Sequence, residues 1–254
     1  MADHIILTAF GTTTQAKEAY HHLEEQIAPQ FPECSIHWAY SSPTVREISG
    51  TENAQPLSVK ETIASINTHD FIVVQSLHVL PGKEFERILE EIPEMGVPAA
   101  VGLPLINDSA DLLRFVSCLR PLIDNSGDDA VLLLGHGTDH PCRSIFIELE
   151  RKLHQRFGSR VFVSTLEFPE APPASIAAAI AAAGYRQAVI IPLLMVAGMH
   201  FFRDITGERE PSWKNLLAAR GIGLGIHGQG LAMLPGIADI FCDHIRLAFA
   251  SRQS

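Results

Sequence analysis

The chain has 254 residues, of which 46% are hydrophobic and 19% are charged. That is enough apolar material for one large core or two smaller ones, so the sequence excludes a mainly disordered protein. Lys and Arg number 19 against 29 Asp and Glu, and the net charge of −10 argues against nucleic acid and anionic membranes as partners.

Cysteine usage and the apolar segments indicate a cellular compartment. The chain has four widely separated cysteines, Cys34, Cys118, Cys142 and Cys242. Their spacing fits neither a zinc ribbon nor a disulfide framework and is typical of a reducing environment. The first apolar segment, Ile5–Phe10, follows Asp3 rather than basic residues, and the longest apolar run contains Pro192 and is too short to span a bilayer. We therefore expect a soluble cytoplasmic protein with no membrane partner.

The first half of the chain alternates apolar runs with segments of helical periodicity, which is typical of βα units that build parallel sheets. Four strands and four helices are predicted, with the strands at 5–10, 35–39, 71–75 and 99–103. Apolar stripes mark three of these helices, at 16–27, 85–92 and 112–119, and Asp108 is the expected N-cap of the last. The polar segment 125–129 predicts a boundary, so residues 1–127 form the first domain.

The second half repeats this order. Strands are predicted at 130–134, 161–164, 188–194 and 222–226. Helices are expected after His140, Pro172, Pro211 and Pro235, because proline is favoured near helix starts. Residues 128–254 therefore form the second domain. The predicted fold is α/β, with two similar domains that each contain a four-stranded parallel sheet flanked by helices.

The two halves also resemble each other in sequence. Two pairs of segments line up, Ala9–Thr13 with Gly135–Asp139 and Val79–Arg87 with Met195–Arg203. This alignment places Glu84 and His200 at equivalent positions and predicts an internal duplication.

Three polar residues follow neighbouring strands of the second predicted sheet. His136 lies between two glycines, Glu167 follows the next strand, and His200 follows the strand after that. Ligands of parallel α/β sheets bind beyond the carboxyl ends of the strands, so we expect these side chains to share a site. Two imidazoles and a carboxylate suit Co²⁺, Ni²⁺, Fe²⁺ or Zn²⁺. Taken singly, each residue has a structural alternative as a solvated or packed side chain.

The first half contributes further candidates. Glu84 falls in the first turn of a predicted helix, where it either complements the helix dipole or accepts protons in a reaction. His78 lies at a strand end, as a ligand or as a packed imidazole. The segment Gly11–Thr14 opens a helix with backbone N–H groups that suit a carboxylate, but it lacks the lysine of a phosphate-binding loop.

Three strand-loop segments carry a family resemblance: Gln75–Glu86, Leu134–Gly137 and Pro192–His200. They resemble the CbiK-type anaerobic sirohydrochlorin cobaltochelatases, a branch of the class II tetrapyrrole chelatases. The similarity runs from the first strand to the last helix. It implies a two-domain chelatase fold that binds the macrocycle sirohydrochlorin in a cleft.

The resemblance also implies roles for particular residues. Metal would be held by His136, Glu167 and His200, with His136 as the proton acceptor and Glu84 as a carboxylate on the opposite wall. Residues expected to bind the macrocycle are Phe10, Gly11, Thr12, Thr13 and His78. Further candidates for its carboxylates are Lys83, Arg87, Arg203 and Lys214.

The expected activity is insertion of Co²⁺ as the metal substrate, with Fe²⁺ and Ni²⁺ as alternatives because affinity order does not separate these ions. Two other hypotheses are a sirohydrochlorin ferrochelatase on the route to sirohaem and a two-domain carrier without turnover. Some family members are exported and bind haem through a histidine that matches His78. Because this sequence shows no export signal, no organic cofactor is predicted. The resemblance also allows a homo-oligomer.

Overall fold

The computed structural model describes residues 3–11, 17–42, 46–47, 57–66, 70–207 and 212–253, and only the backbone at 17, 199, 200 and 253. The chain divides into two compact units. One unit comprises Met1–Asp111 together with Pro235–Ser254, and the other comprises Leu112–Leu234. Within the described residues, no helix combines the length and apolarity needed to cross a membrane.

Each unit contains one four-stranded parallel sheet. The strands of the first are β1 (His4–Ala9), β2 (Ser35–Tyr40), β3 (Ile72–Ser76) and β4 (Ala99–Gly102), in the order β2-β1-β3-β4. The strands of the second are β5 (Ala130–Gly135), β6 (Val161–Thr165), β7 (Gln187–Leu193) and β8 (Gly223–Ile226), in the order β6-β5-β7-β8. The predicted fold class is confirmed, and the eight predicted strands agree with these bounds to within one residue.

The burial of the strands explains why the sequence predicts their positions. Ile5–Ala9 of β1 and all six residues of β5 are buried, because these central strands are covered on both faces. The edge strand β2 is different, since Ala39 is its only buried residue. Continuous apolar runs therefore mark the centre of each sheet.

The described helices connect and cover these strands. They are α1 (Lys17–Ile27), α2 (Val59–Ser65), α3 (Lys83–Glu94), α4 (Ser109–Asn125), α5 (Ser144–Phe157), α6 (Pro173–Ala182), α7 (Met199–Thr206), α8 (Trp213–Ala218) and α9 (Ile237–Ala250). Short 3-10 turns occupy 28–30, 141–143, 231–233 and 251–253.

Several predicted helix starts are confirmed. Asp108 caps α4, because its Oδ1 accepts hydrogen bonds from the backbone N–H groups of Ala110 at 2.8 Å and Asp111 at 2.9 Å. Helical structure begins directly after His140 and Pro172, as predicted. Pro211 lies outside the described residues. Helix α7 was not predicted as a separate element, and it places His200 in the first turn of a helix.

The division into units differs from the boundary predicted at 127/128. It falls within α4, and α9 belongs to the first unit, where it contacts β3, β4 and α1. The ring nitrogens of His244 on α9 lie 3.1 Å from the Leu103 carbonyl oxygen and 3.1 Å from Asp111 Oδ1. Phe249 on α9 also packs against Phe71. Helical periodicity reveals an apolar face but not which sheet that face covers, so the sequence did not predict this arrangement.

Candidate metal and active site

The loops after β5 and β6 extend the sheet beyond its strands. The backbone N–H of Leu166 donates to the Gly135 carbonyl at 2.9 Å, and that of Glu167 donates to the His136 carbonyl at 2.8 Å. Gly137 has φ +95°, and a Cβ at this position would clash with the Glu167 carbonyl oxygen. Only glycine meets both requirements. The Gly-His-Gly segment is therefore what allows the two loops to lie against each other.

The side chains of His136 and Glu167 meet at this edge, as predicted. His136 Nδ1 lies 3.8 Å from Glu167 Oε2, and the two side chains are 64% and 57% exposed. This distance is too long for a hydrogen bond. Two donors that each bind one ion at about 2.1 Å can lie up to about 4.2 Å apart. The pair is therefore spaced so that a single metal ion can contact both.

The backbone around Glu167 is held in an unusual conformation. Thr165 Oγ1 donates a hydrogen bond to the Glu167 carbonyl oxygen at 2.7 Å. Phe168 has φ +49°, which is uncommon for a residue with a Cβ, and its side chain is 51% exposed. Such conformations cluster at ligand sites.

His200 is the second residue of α7, which begins after the N-cap Gly198. Its strand, β7, pairs with β5 on the side opposite β6, so the backbone brings all three predicted ligands to the same edge of the sheet. The His200 side chain is not among those described. Among the side chains that are described, no group of three His, Cys, Asp or Glu residues is close enough to hold a metal ion. Ligation by His200 thus stays a prediction.

The first unit repeats this local geometry with different side chains. Gly11 has φ +97°, close to the value at Gly137, and the preceding Phe10 is 53% exposed where the second unit has His136. This similarity supports the predicted duplication. Thr12 and Thr13 lie outside the described residues.

Glu84 is the second residue of α3 after the N-cap Gly82, so it occupies the place in its helix that His200 occupies in α7. Its Oε2 atom lies 3.8 Å from Arg87 Nη1. That oxygen is buried and has no hydrogen-bond partner among the described residues. Glu84 complements the helix dipole and also retains an unused acceptor.

His78 is half-buried at the end of β3. Its Nδ1 atom lies 2.9 Å from Ser76 Oγ, and its Nε2 atom is buried without a hydrogen-bond partner in the described part of the chain. Burial lowers the pKa of His78 to about 4, although the charge of Glu84 acts in the opposite direction. The imidazole is consequently neutral at neutral pH, as expected for a packed side chain and also for a ligand.

A cavity of about 200 Å³ opens beside Glu84 in the first unit. Its lining consists of Tyr40, Ser41, Arg46, Ser58, Val59, Lys60, Glu84, Arg87, Ile88 and Glu91. Sequence reasoning singled out Glu84 and Arg87 but missed the others. Ser41 directly follows β2, so the strand-end rule could have found it. No sequence signal marks Arg46.

Solved structures of other proteins share this fold. SirB from Bacillus subtilis, in a structure with Fe³⁺, has a TM-score of 0.69 and 16% sequence identity, covering 100% of this chain and 98% of its own. The SirB sirohydrochlorin chelatase of Bacillus subtilis subspecies spizizenii, in complex with cobalt, gives a TM-score of 0.63 with 15% identity over 98% of this chain and 95% of its own. These likenesses establish the chelatase fold.

Two other proteins are more similar to this chain in sequence than these structures are. A sirohydrochlorin cobaltochelatase, CbiKC, of Nitratidesulfovibrio vulgaris is 29% identical over 97% of this chain and 90% of its own length. A sirohydrochlorin cobaltochelatase of Salmonella typhimurium is 25% identical over 96% of this chain and 95% of its own. Residues 3–250 match the family described as cobalt chelatase (CbiK). The chain therefore belongs to the cobalt chelatase (CbiK) family, as the resemblance of its strand-loop segments predicted.

Proposed function

We propose that this protein is a sirohydrochlorin cobaltochelatase, which inserts Co²⁺ into the tetrapyrrole sirohydrochlorin. The observation that carries the proposal is the exposed pair of His136 Nδ1 and Glu167 Oε2, 3.8 Å apart at the carboxyl edge of a parallel sheet, in a member of the cobalt chelatase family. The relatives in Nitratidesulfovibrio vulgaris and Salmonella typhimurium bear the name of this activity, which supports the choice of substrate.

Metal binding is the first step. An imidazole nitrogen and a carboxylate oxygen together suit a borderline divalent ion such as Co²⁺. Because both side chains are more than half exposed, they leave coordination positions free for the macrocycle. We assign His200 as the third ligand, since it follows the strand on the other side of β5.

Proton transfer is the second step. When the divalent ion bonds to the four pyrrole nitrogens, the macrocycle loses two N–H protons, which need acceptors. His136 releases the ion as the pyrrole nitrogens take it over, and its freed nitrogen accepts one proton. Glu84, with its unused carboxylate oxygen, is assigned the other proton.

The metal that is inserted depends on which divalent ions the cell supplies as well as on the ligands of the site. Affinity for these ligands does not strongly separate Fe²⁺, Co²⁺ and Ni²⁺, so Fe²⁺ and Ni²⁺ are competing substrates. The reaction itself needs only the tetrapyrrole, the ion and the two proton acceptors, and we include no organic cofactor in it.

The test is an anaerobic insertion assay followed by the visible spectrum of the tetrapyrrole, with sirohydrochlorin and Co²⁺ in large excess over protein. We expect many equivalents of cobalt-sirohydrochlorin per protein chain, formed well above the rate without protein. Parallel reactions with Fe²⁺ and Ni²⁺ rank the metals. Formation that stops at one equivalent would indicate a carrier, and formation at the uncatalysed rate would overturn the proposal.

A further inference from the structure

We propose that the cavity beside Glu84 binds one carboxylate arm of the tetrapyrrole, with Ser41 and Arg46 as its hydrogen-bond donors. This inference rests on the proposed function, because it names which group of that substrate one part of the protein recognises. It assigns a role to Ser41 and Arg46, which lie outside the proposed metal site.

The cavity has the size and position for such an arm. It lies at the carboxyl end of β2 and beside the first turns of α3, at the same edge of the first sheet as Glu84. Val59 and Ile88 give it apolar walls. A single buried water molecule needs roughly 10–15 Å³ of cavity volume. A cavity of about 200 Å³ therefore accommodates a small carboxylate group together with water.

Three polar atoms of its lining are buried and lack hydrogen-bond partners among the described residues, namely Ser41 Oγ, Arg46 Nε and Glu84 Oε2. Arg46 already uses another nitrogen, because its Nη1 lies 3.1 Å from Glu61 Oε2. The Nε–H can only donate, and the serine hydroxyl can donate as well. A buried donor without an acceptor lowers the stability of the folded protein. The Arg46 Nε–H and the Ser41 hydroxyl therefore indicate a ligand that accepts hydrogen bonds.

An ionised acceptor suits the Arg46 donor better than a neutral one, because hydrogen bonds between charged groups are stronger. Each cation of the lining has a carboxylate nearby, since Arg46 pairs with Glu61, Lys60 with Glu94, and Arg87 with Glu84 and Glu91. The buried Nε–H of Arg46, and not a net positive charge, therefore selects the acceptor. A substrate carboxylate can accept from Ser41 and Arg46 through its two oxygens.

Glu84 makes this arrangement relevant to the reaction, because the same cavity contains its buried Oε2 atom, the atom to which we assign a proton.

The test measures binding of metal-free sirohydrochlorin by fluorescence, so that its readout does not depend on insertion. Ser41→Ala and Arg46→Gln are expected to raise the dissociation constant, by about tenfold for the charged donor, with an unchanged dissociation constant for Co²⁺. Two controls are available. Glu61→Gln removes the ion pair of Arg46 but keeps Nε, and Arg120→Gln removes an exposed ion pair with Asp124 on α4. Both should bind sirohydrochlorin as the parent protein does.

Unchanged affinity in both cavity variants, with unfolding temperatures close to that of the parent, would overturn the inference. An equal loss in Glu61→Gln would also overturn it, because the effect would then come from the ion pair rather than the donor. Ser41→Ala removes one oxygen atom and keeps the test valid if Arg46→Gln folds poorly. A parent protein that binds sirohydrochlorin through these residues but does not metallate it would contradict the proposed function and leave this inference standing.

Discussion

His136 is placed for chemistry rather than for stability. Its side chain is 64% exposed and adjoins Gly135 and Gly137, so its removal leaves no cavity in the core. We predict that His136→Ala lowers the rate of Co²⁺ insertion by on the order of 100-fold or more, because the variant lacks both a metal ligand and a proton acceptor. The unfolding temperature should stay within about 2 °C of the parent.

A matched control for this prediction is His21→Ala, which removes another exposed histidine, on α1. Insertion rates and thermal unfolding of both variants are measured under the same conditions. If His136→Ala retained the parent rate, or lost activity only through unfolding, His136 would not have the assigned role.

His78 makes stability depend on pH. Burial lowers its pKa to about 4, whereas an unfolded histidine titrates near 6.5, so between these values the unfolded chain binds more protons. The contribution of His78 to stability is therefore complete above pH 6.5 and declines as the pH falls toward 4. Between pH 7 and pH 5 the expected decline is about 2 kcal/mol.

The measurement is the free energy of unfolding in urea at pH 7 and pH 5, for the parent and for His78→Gln. The parent should lose more stability than the variant by about 2 kcal/mol, because glutamine does not titrate in this range. Equal losses in the two proteins would show that His78 is not held neutral by burial.

At the scale of an element, the loop after β5 depends on glycine. Gly137→Ala would force the Glu167 carbonyl to move, whereas Gly158→Ala, at φ +78° in the same unit, has no atom within 4 Å of the added Cβ. Both variants should lose about 1 kcal/mol or more of stability through backbone strain. Only Gly137→Ala should also weaken Co²⁺ binding, by roughly tenfold, because it displaces a ligand. Calorimetric titration with Co²⁺ measures the affinity of each variant. Equal Co²⁺ affinities of Gly137→Ala and Gly158→Ala would contradict the role given to the loop after β5.

The elements themselves were largely predictable because buried parallel strands have a distinctive sequence pattern. The apolar runs of β1 and β5 reflect burial on both faces, and Asp108 has the side chain that a helix start requires. The partner of α9 was not predictable, because the same apolar stripe would suit either sheet. Likewise, His136 and Glu167 could be predicted from the ends of their strands. Arg46 could not, since its position beside the cavity depends on tertiary packing.

At the scale of the whole molecule, helix α9 belongs to the first unit although the second half of the chain supplies it. Residues on α9 that are fully buried in the first unit include Ile237, Ile240, Phe241 and Ile245. A fragment of residues 1–127 lacks them and exposes the faces of β3 and β4 that α9 contacts. We predict that this fragment does not unfold cooperatively, as followed by circular dichroism. Cooperative unfolding of the isolated fragment would favour the boundary predicted from the sequence.

The most direct test of the account is the rate of Co²⁺ insertion into sirohydrochlorin compared with protoporphyrin, at moderate salt where long-range repulsion by the net charge of −10 is screened. Sirohydrochlorin carries many carboxylate arms, one of which we assign to the cavity beside Glu84, whereas protoporphyrin carries only a pair of propionates. The visible spectra of both tetrapyrroles are followed with the parent protein and with His136→Ala. We predict much faster metallation of sirohydrochlorin than of protoporphyrin by the parent protein, and loss of this activity in His136→Ala. Equal or faster metallation of protoporphyrin, or no metallation of either, would contradict this prediction.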